Sequence, residues 1–153
     1  MGWFWVLDDL KQISVNFRLE KAHNCLKASE LLLSAESYAD SVNRSYYSIY
    51  HAIRAVLITI DYSSKTHSGN ISEFRRRFIK TGIFPKDFSD IVGRAFDIRN
   101  DSDYEDFYVV SKDEVIKQAE NASVFLKATE DYIKTLLPKI DNETEQLPDN
   151  PDN

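Results

Sequence analysis

The strongest chemical signal in this chain is an arginine followed five residues later by a tyrosine, in Arg99-Asn100-Asp101-Ser102-Asp103-Tyr104. A guanidinium is always charged and presents five donors in a rigid fork, so it either grips a phosphate or locks a carboxylate. Both partners are in prospect, because Asp97, Asp101, Asp103, Glu105 and Asp106 crowd around the one arginine. The apolar pattern before it predicts a helix ending near Asn100, which would place Arg99 where the helix gives way to a turn. A tyrosine there could donate a hydrogen bond to a phosphate or stack on a base.

A second constellation precedes it. Asn43, Arg44, Tyr47, His51 and Arg54 follow one another at the three- and four-residue spacing that shares one side of a helix. Such a stripe could form a phosphate-binding wall, or a polar seam satisfied internally at a helix or subunit interface. His67, in Lys65-Thr66-His67-Ser68-Gly69, falls at a loop-to-helix turn where free N–H groups favour an anion. Arg75, Arg76, Arg77 and Lys80 make a basic cluster that reads equally as an electrostatic surface for RNA or as a solvated face paired to the chain's own acids. His23 lies mid-helix and receives no role. No His or Cys pair has zinc-ligand spacing, so no metal site is expected. No cofactor is expected either: the chain has no Gly-rich phosphate loop. It also lacks a Gly-x-Ser-x-Gly turn and an evident nucleophile–base pair.

Five helices must position these groups. Apolar residues recur at helical spacing over about Asn16–Leu33, Tyr38–Asp61, Ile71–Thr81, Lys86–Asn100 and from Ser111 to Leu137. The stripe Val42, Tyr46, Ile49, Ile53, Val56 and Ile60 marks the second as the longest, and Ser37 with Asp40 fits its start. Asn70-x-x-Glu73 and Ser111-x-x-Glu114 read as capping boxes, Gly82 as a helix-ending residue and Pro138 as a stop. Nothing reads as a strand. The expectation is an all-α antiparallel bundle of about five helices, built on the second and fifth as a long antiparallel pair.

Composition agrees. The 153 residues suffice for one domain, taken as 1–137, with four Gly, four Pro and a heavy load of eight Tyr, nine Phe and two Trp. Residues 138–153 hold five acids against Lys139 and three of the four prolines, a net charge of −4 out of −6, and read as a disordered acidic tail. The apolar opening 1–7 is too short to span a bilayer and lacks a basic flank, so packing on the core or on a partner chain is expected. The lone Cys25 reads as a small buried apolar residue and suits a reducing cytoplasm, the expected location.

Four stretches, in order, resemble a HEPN domain of the small stand-alone prokaryotic branch. They are Tyr38-Ala39-Asp40-Ser41-Val42-Asn43-Arg44-Ser45-Tyr46-Tyr47 with Ile49-Tyr50-His51-Ala52, then Thr66-His67-Ser68-Gly69. Phe74 with Phe78-Ile79-Lys80-Thr81-Gly82 follows, and last Arg99 to Tyr104. The resemblance covers about residues 16–137.

It implies a helical bundle that dimerises through its second and fourth helices. In catalytic members, an Arg-x4-6-His motif from each subunit meets there in a composite ribonuclease site. Arg99 matches the arginine, and Tyr104 stands where the histidine would be. The substitution matters because RNA cleavage without metal needs an acceptor for the ribose 2′-OH proton and a donor for the leaving oxygen. Histidine serves both near neutrality, whereas tyrosine, ionising near pH ~10, is a poor base. His51 or His67 could substitute only beside Arg99.

On this resemblance Arg99 and Tyr104 are the candidate catalytic residues. Asn100, Asp103, Arg44, Tyr47, His51 and His67 are the candidate RNA- or nucleotide-binding residues. The implied partners are a second copy and a nucleotidyltransferase antitoxin, which in some such pairs modifies a tyrosine near the motif, here Tyr104 or Tyr108. Three readings stay open at this point: a toxin-like protein that cuts RNA, a module that only binds RNA, a nucleotide or the nucleotidyltransferase, and a structural adaptor.

Overall fold

The computed structural model describes residues 2–136, with side chains from Asp9 onward. The expected disordered tail, 138–153, and the side chains of the apolar opening lie outside the described residues. Helix α1 spans Gly2–Ser34, α2 Tyr38–Ile58 and α3 His67–Phe74, which continues as a π-helical turn over Arg75–Ile79. Helices α4, Asp87–Tyr104, and α5, Lys112–Thr135, complete the order. No strand occurs among the described residues, and the all-α expectation holds.

Helix α2 is the centre of the bundle. Its buried positions run around most of its circumference, from Ser41 and Val42 through Tyr46, Ile49, Ile53 and Val56 to Leu57. Its most extensive partner is α1, which a three-residue turn folds back against it. Glu36 takes a left-handed backbone, φ 61°, while the Ser37 and Glu36 amides donate to the Leu32 and Leu33 carbonyls. This is the Schellman way of closing a helix, ordinarily given to glycine.

The two helices meet along a serine seam. Ser29, Ser41, Ser45 and Ser48 are fully buried. Ser41 Oγ donates to the Ser29 carbonyl at 2.8 Å, Ser48 Oγ to the Ala22 carbonyl at 2.9 Å, and the Ser29 and Ser45 hydroxyls bond each other at 2.5 Å. Small side chains admit a close helix approach, and each hydroxyl keeps a partner despite burial.

Direction is where expectation fails. Val42 at the start of α2 and Val115 at the start of α5 pack in one cluster with Ile98 near the end of α4. Helices α2 and α5 therefore run the same way, not as an antiparallel pair; α1 and α4 are the antiparallel neighbours. Helix α1, not α2, is the longest. Ile60 falls in the turn beyond α2, and it is exposed rather than core.

Below the serine seam, Phe74, Phe78, Phe84, Phe88 and Phe125 form a ring cluster with centroids 5.0–6.3 Å apart. The π turn, which the sequence did not announce, follows from this packing. Its Lys80 amide reaches back five residues to the Arg75 carbonyl, and the wider turn keeps Phe74, Phe78 and Ile79 all buried.

Capping differs in one place. Ser111 Oγ accepts from the Glu114 amide as expected. Helix α3, however, is capped by Thr66, whose hydroxyl accepts from the Gly69 amide at 3.0 Å. A Cβ at position 69 would collide with Ser64 and Thr66, which explains the glycine. Asn70 is no cap: it is buried, donates to the Tyr50 hydroxyl and the Ser64 carbonyl, and accepts from the Ser64 amide. Gly82, at φ 81°, ends the π turn as its type suggested. Cys25 is buried, and burial pushes its thiol above the ordinary range.

Candidate functional site

Helix α4 continues through Asp103 and Tyr104, four residues past its expected end, and this decides where its polar residues point. Arg99 faces α2, with only 15 % of its side chain exposed. Its Nη2 donates to the Tyr47 hydroxyl at 3.0 Å and its Nη1 to Asn100 Oδ1 at 3.2 Å. Its Nε lies 3.1 Å from Asp103 Oδ2, near enough for an ion pair but not aligned for a hydrogen bond, so this buried donor has no hydrogen-bond acceptor among the described residues. The same Asp103 oxygen accepts from Asn43 Nδ2. The guanidinium also sits 5.4 Å from the Tyr46 ring and 5.3 Å from the Tyr47 ring, within cation–π range.

The α2 stripe forms the facing wall. Arg44 approaches the Tyr47 ring at 5.3 Å while its Nη2 donates to Asn43 Oδ1 at 2.7 Å. His51 Nδ1 lies 3.3 Å from Arg18 Nη1 of α1. Since arginine only donates, this nitrogen is the acceptor, and the imidazole proton belongs on Nε2. Burial, then Arg18, Lys21, Arg54 and Arg44, pushes the His51 pKa down to about 4.

His67, the first residue of α3, stacks on Tyr50 with ring centroids 4.0 Å apart, and its Nδ1 is 2.8 Å from the Tyr46 hydroxyl. Burial and the charges of Arg99 and Arg54 lower its pKa from the ordinary 6.5. The result is a neutral imidazole within the field of two guanidiniums. On a chain of net charge −6, the seam between α2, α3 and α4 is thus locally cationic and walled with tyrosine rings. Such a seam can hold an anion on guanidinium donors, stack a planar ring, and accept a proton on an imidazole.

The family model described as the HEPN domain matches residues 15–134. The chain belongs to the HEPN family. Among curated relatives, this HEPN domain is 32% identical over 115 residues to "Putative toxin MJ0142" of Methanocaldococcus jannaschii, covering 75% of this chain and 78% of that one. It is 31% identical over 126 residues to a "UPF0332 protein" of Thermotoga maritima, covering 82% and 96%. A shorter match, 31% over 86 residues, joins it to "Putative toxin MJ0605" of M. jannaschii, covering 56% and 64%.

Within this HEPN domain the fold gathers Arg99, Asn100, Asp103, Arg44, Tyr47, His51 and His67 into one seam. It leaves Tyr104 outside. Five residues along a helix is a rotation of about 140°, and Tyr104 is 73% exposed while Arg99 turns inward. Tyr108 also lies on the surface, beside the fully exposed Phe107. The basic run of helix three is largely committed: Arg76 and Arg77 both pair with Glu73, and Arg75 Nη2 donates to the Ser89 carbonyl. His23 pairs with Glu130 of α5.

Tyr46, Tyr50 and Arg18 belong to the seam and were not expected there. Tyr46 sat in the core stripe of α2 and Tyr50 only in a stretch of the family resemblance, and nothing in a periodicity separates a core ring from one whose hydroxyl meets a histidine. Arg18 meets His51 only because α1 folds back on α2. Among the described residues, no group of three or more His, Cys, Asp or Glu gathers as a metal site would require, and no helix is long and apolar enough to cross a membrane.

Proposed function

We propose that this HEPN domain is a toxin-like protein that acts on RNA as a homodimer, held in check by a nucleotidyltransferase antitoxin. The observation that carries the reading is that Arg99 and His67 both contact the Tyr46 side chain, in a cationic, tyrosine-walled seam whose charge disfavours protonation of the imidazole. The relatives whose names read "Putative toxin" support its toxin-like part.

In this reading Arg99 holds the scissile phosphate on its guanidinium, in competition with the Asp103 carboxylate 3.1 Å from Nε. His67 takes the role that Tyr104 cannot fill. In the tautomer that donates Nδ1–H to the Tyr46 hydroxyl, Nε2 is a free base able to accept the proton of a ribose 2′-OH. The 2′ oxygen then bonds to the adjacent phosphorus, the bond to the 5′ oxygen breaks, and that oxygen takes up the proton that His67 accepted, which returns the imidazole to its neutral form. Tyr47 and Arg44 supply a stacking wall, and Asn100 and Asp103 set the guanidinium's direction. Tyr104 and Tyr108, exposed outside the seam, are the side chains open to modification by the antitoxin.

The second reading is binding without cleavage. It is favoured by the closure of Arg99 onto Tyr47, Asn100 and Asp103, three partners a substrate would have to share or displace. Purified protein incubated with RNA separates the two. Cleavage by the wild type, lost in Arg99→Ala and in His67→Ala, supports the first reading. RNA bound but left intact by the wild type would establish the second.

A further inference from the structure

Helix α1 carries a face that the bundle leaves uncovered. Leu10, Ile13 and Phe17, three and four residues apart and so on one side of the helix, are 54, 63 and 53% exposed. Beside them, between α1 and the end of α2, runs a groove of about 420 Å³. It combines the apolar side chains of Ile13, Phe17 and Ile58 with two guanidiniums, Arg18 and Arg54.

Neither guanidinium meets a carboxylate among the described residues. Arg18 donates to His51 Nδ1 at 3.3 Å, and Arg54 to the Ser63 hydroxyl at 3.4 Å. Burial and the charge of Arg54 both disfavour the charged form of Arg18. Lys21, its ammonium 4.9 Å from the Phe17 ring, adds a third cation with no ion pair among the described residues. Lys11, by contrast, is paired with Asp61. On a chain of net charge −6, three uncompensated cations beside an exposed apolar face call for an occupant that brings carboxylates and apolar side chains together.

The chain carries such a segment. Within residues 138–153, net charge −4, runs Ile140-Asp141-Asn142-Glu143-Thr144-Glu145-Gln146-Leu147. Helix α5 leads into it on the right level. His23 of α1 pairs with Glu130 of α5, and the two helices run in opposite directions. Thr135 lies five residues after Glu130 and Arg18 five before His23, each about 7.5 Å along its helix in the same direction. The segment beyond spans up to about 50 Å when extended, several times a helix diameter. A tether of that reach supplies an effective concentration on the order of millimolar.

We infer that this groove is the docking surface for the chain's own acidic segment 138–153. The carboxylates of Asp141, Glu143 and Glu145 reach Arg18, Arg54 and Lys21, and Ile140 and Leu147 cover the Ile13–Phe17 face. A second copy docking by the same face would set Arg18 and Arg54 against their own equivalents, like charge on like. An RNA strand would meet the guanidiniums but leave Leu10 and Ile13 bare, since bases stack on aromatic rings. Arg18 also holds His51, and Arg54 stands 6.0 Å from the Tyr50 ring, so the docked segment neutralises charge at one end of the seam. Competition with RNA there follows only if the seam binds RNA; the docking itself does not rest on that reading.

A nitroxide on Thr144→Cys in the full chain, with Cys25→Ala so that one thiol remains, tests this by amide NMR. The amides of 13–18 and 54–63 should broaden. The broadening should fade at about 1 M salt, where the Debye length is about 3 Å. Ile13→Glu, at an exposed position, should erase it while the remaining amide pattern reports an intact fold. Asp141→Asn with Glu143→Gln and Glu145→Gln, which leave the bundle untouched, should do the same. A mixture of spin-labelled chain with isotope-labelled chain lacking the nitroxide separates the occupants. Broadening undiminished in that mixture would seat another copy's segment in the groove and overturn the intrachain contact. No broadening at all overturns the proposal, and shifts of the same amides by a short oligouridylate would then give the groove to RNA phosphates.

Discussion

Arg99 and His67 share the ring of Tyr46: the guanidinium lies 5.4 Å from its centroid and the imidazole Nδ1 2.8 Å from its hydroxyl. A residue from α4 and one from α3 are thereby fixed to the same face of α2. Burial raises the Tyr46 hydroxyl above its usual range, so it stays protonated and serves as a neutral spacer. The arginine in turn disfavours protonation of the histidine.

Asp103 competes with any anion for Arg99. Asp103→Asn should tighten binding of a labelled oligoribonucleotide several-fold, since an ion pair that keeps some contact with solvent is worth roughly 1 kcal/mol. Arg99→Ala should weaken it by at least tenfold. Fluorescence anisotropy at two salt concentrations checks both, and a tightening that vanishes in the Arg99→Ala, Asp103→Asn double variant ties the effect to the pair.

His51 predicts an acid-sensitive fold. Its pKa of about 4 in the folded chain lies below its ordinary 6.5. Between these values the unfolded chain binds the extra proton, so stability falls as pH drops from about 6.5 to about 4 and the loss is complete below. After allowance for screening, this amounts to on the order of 1–2 kcal/mol. Urea unfolding of the wild type and His51→Gln across that range should show a difference that changes with pH. A constant offset would assign the acid sensitivity to other groups.

Glu36 holds a left-handed backbone without the freedom of glycine. Glu36→Gly should raise stability by up to about 1 kcal/mol, the left-handed cost relieved less the entropy gained by the unfolded chain. Thermal denaturation measures it, and a lower melting temperature would mean that the turn is unstrained.

Ser45 is fully buried in the seam between α1 and α2, bonded to Ser29. Ser45→Leu should destabilise by about 1–3 kcal/mol, through overpacking and the stranded Ser29 hydroxyl. Tyr104→Phe, on the surface, should change stability by no more than about 0.5 kcal/mol. Denaturant midpoints for the two variants should differ accordingly.

Much of the bundle was legible in the sequence because α2 writes its burial as a long spacing of fours and threes. Val42, Tyr46, Ile49, Ile53 and Val56 are buried as that spacing requires. Helix direction was not legible, because a periodicity is unsigned: it says that α2 and α5 each bury a face, not which way they run. The site was legible on each element and illegible between them. The α2 stripe was sound, but its meeting with Arg18 and His67 depends on two chain reversals. The outward placement of Tyr104 has a simpler cause. Asn100-Asp101-Ser102-Asp103 looks like a turn, yet α4 carries on because Asp103 finds Arg99 and Asn43 one turn back and across.

The widened turn at Arg75–Ile79 has an evolutionary consequence. A helix with one residue too many for its own ladder is the mark of an insertion absorbed without rupture. Removing one residue there would let the ladder close as an ordinary α-helix, at the cost of turning either Phe78 or Ile79 away from the ring cluster. Descendants of such a deletion would keep a recognisable bundle yet present a different row of side chains opposite Gly93. Length variation among relatives should therefore gather at this turn, where a single codon re-aims a surface while leaving the architecture standing.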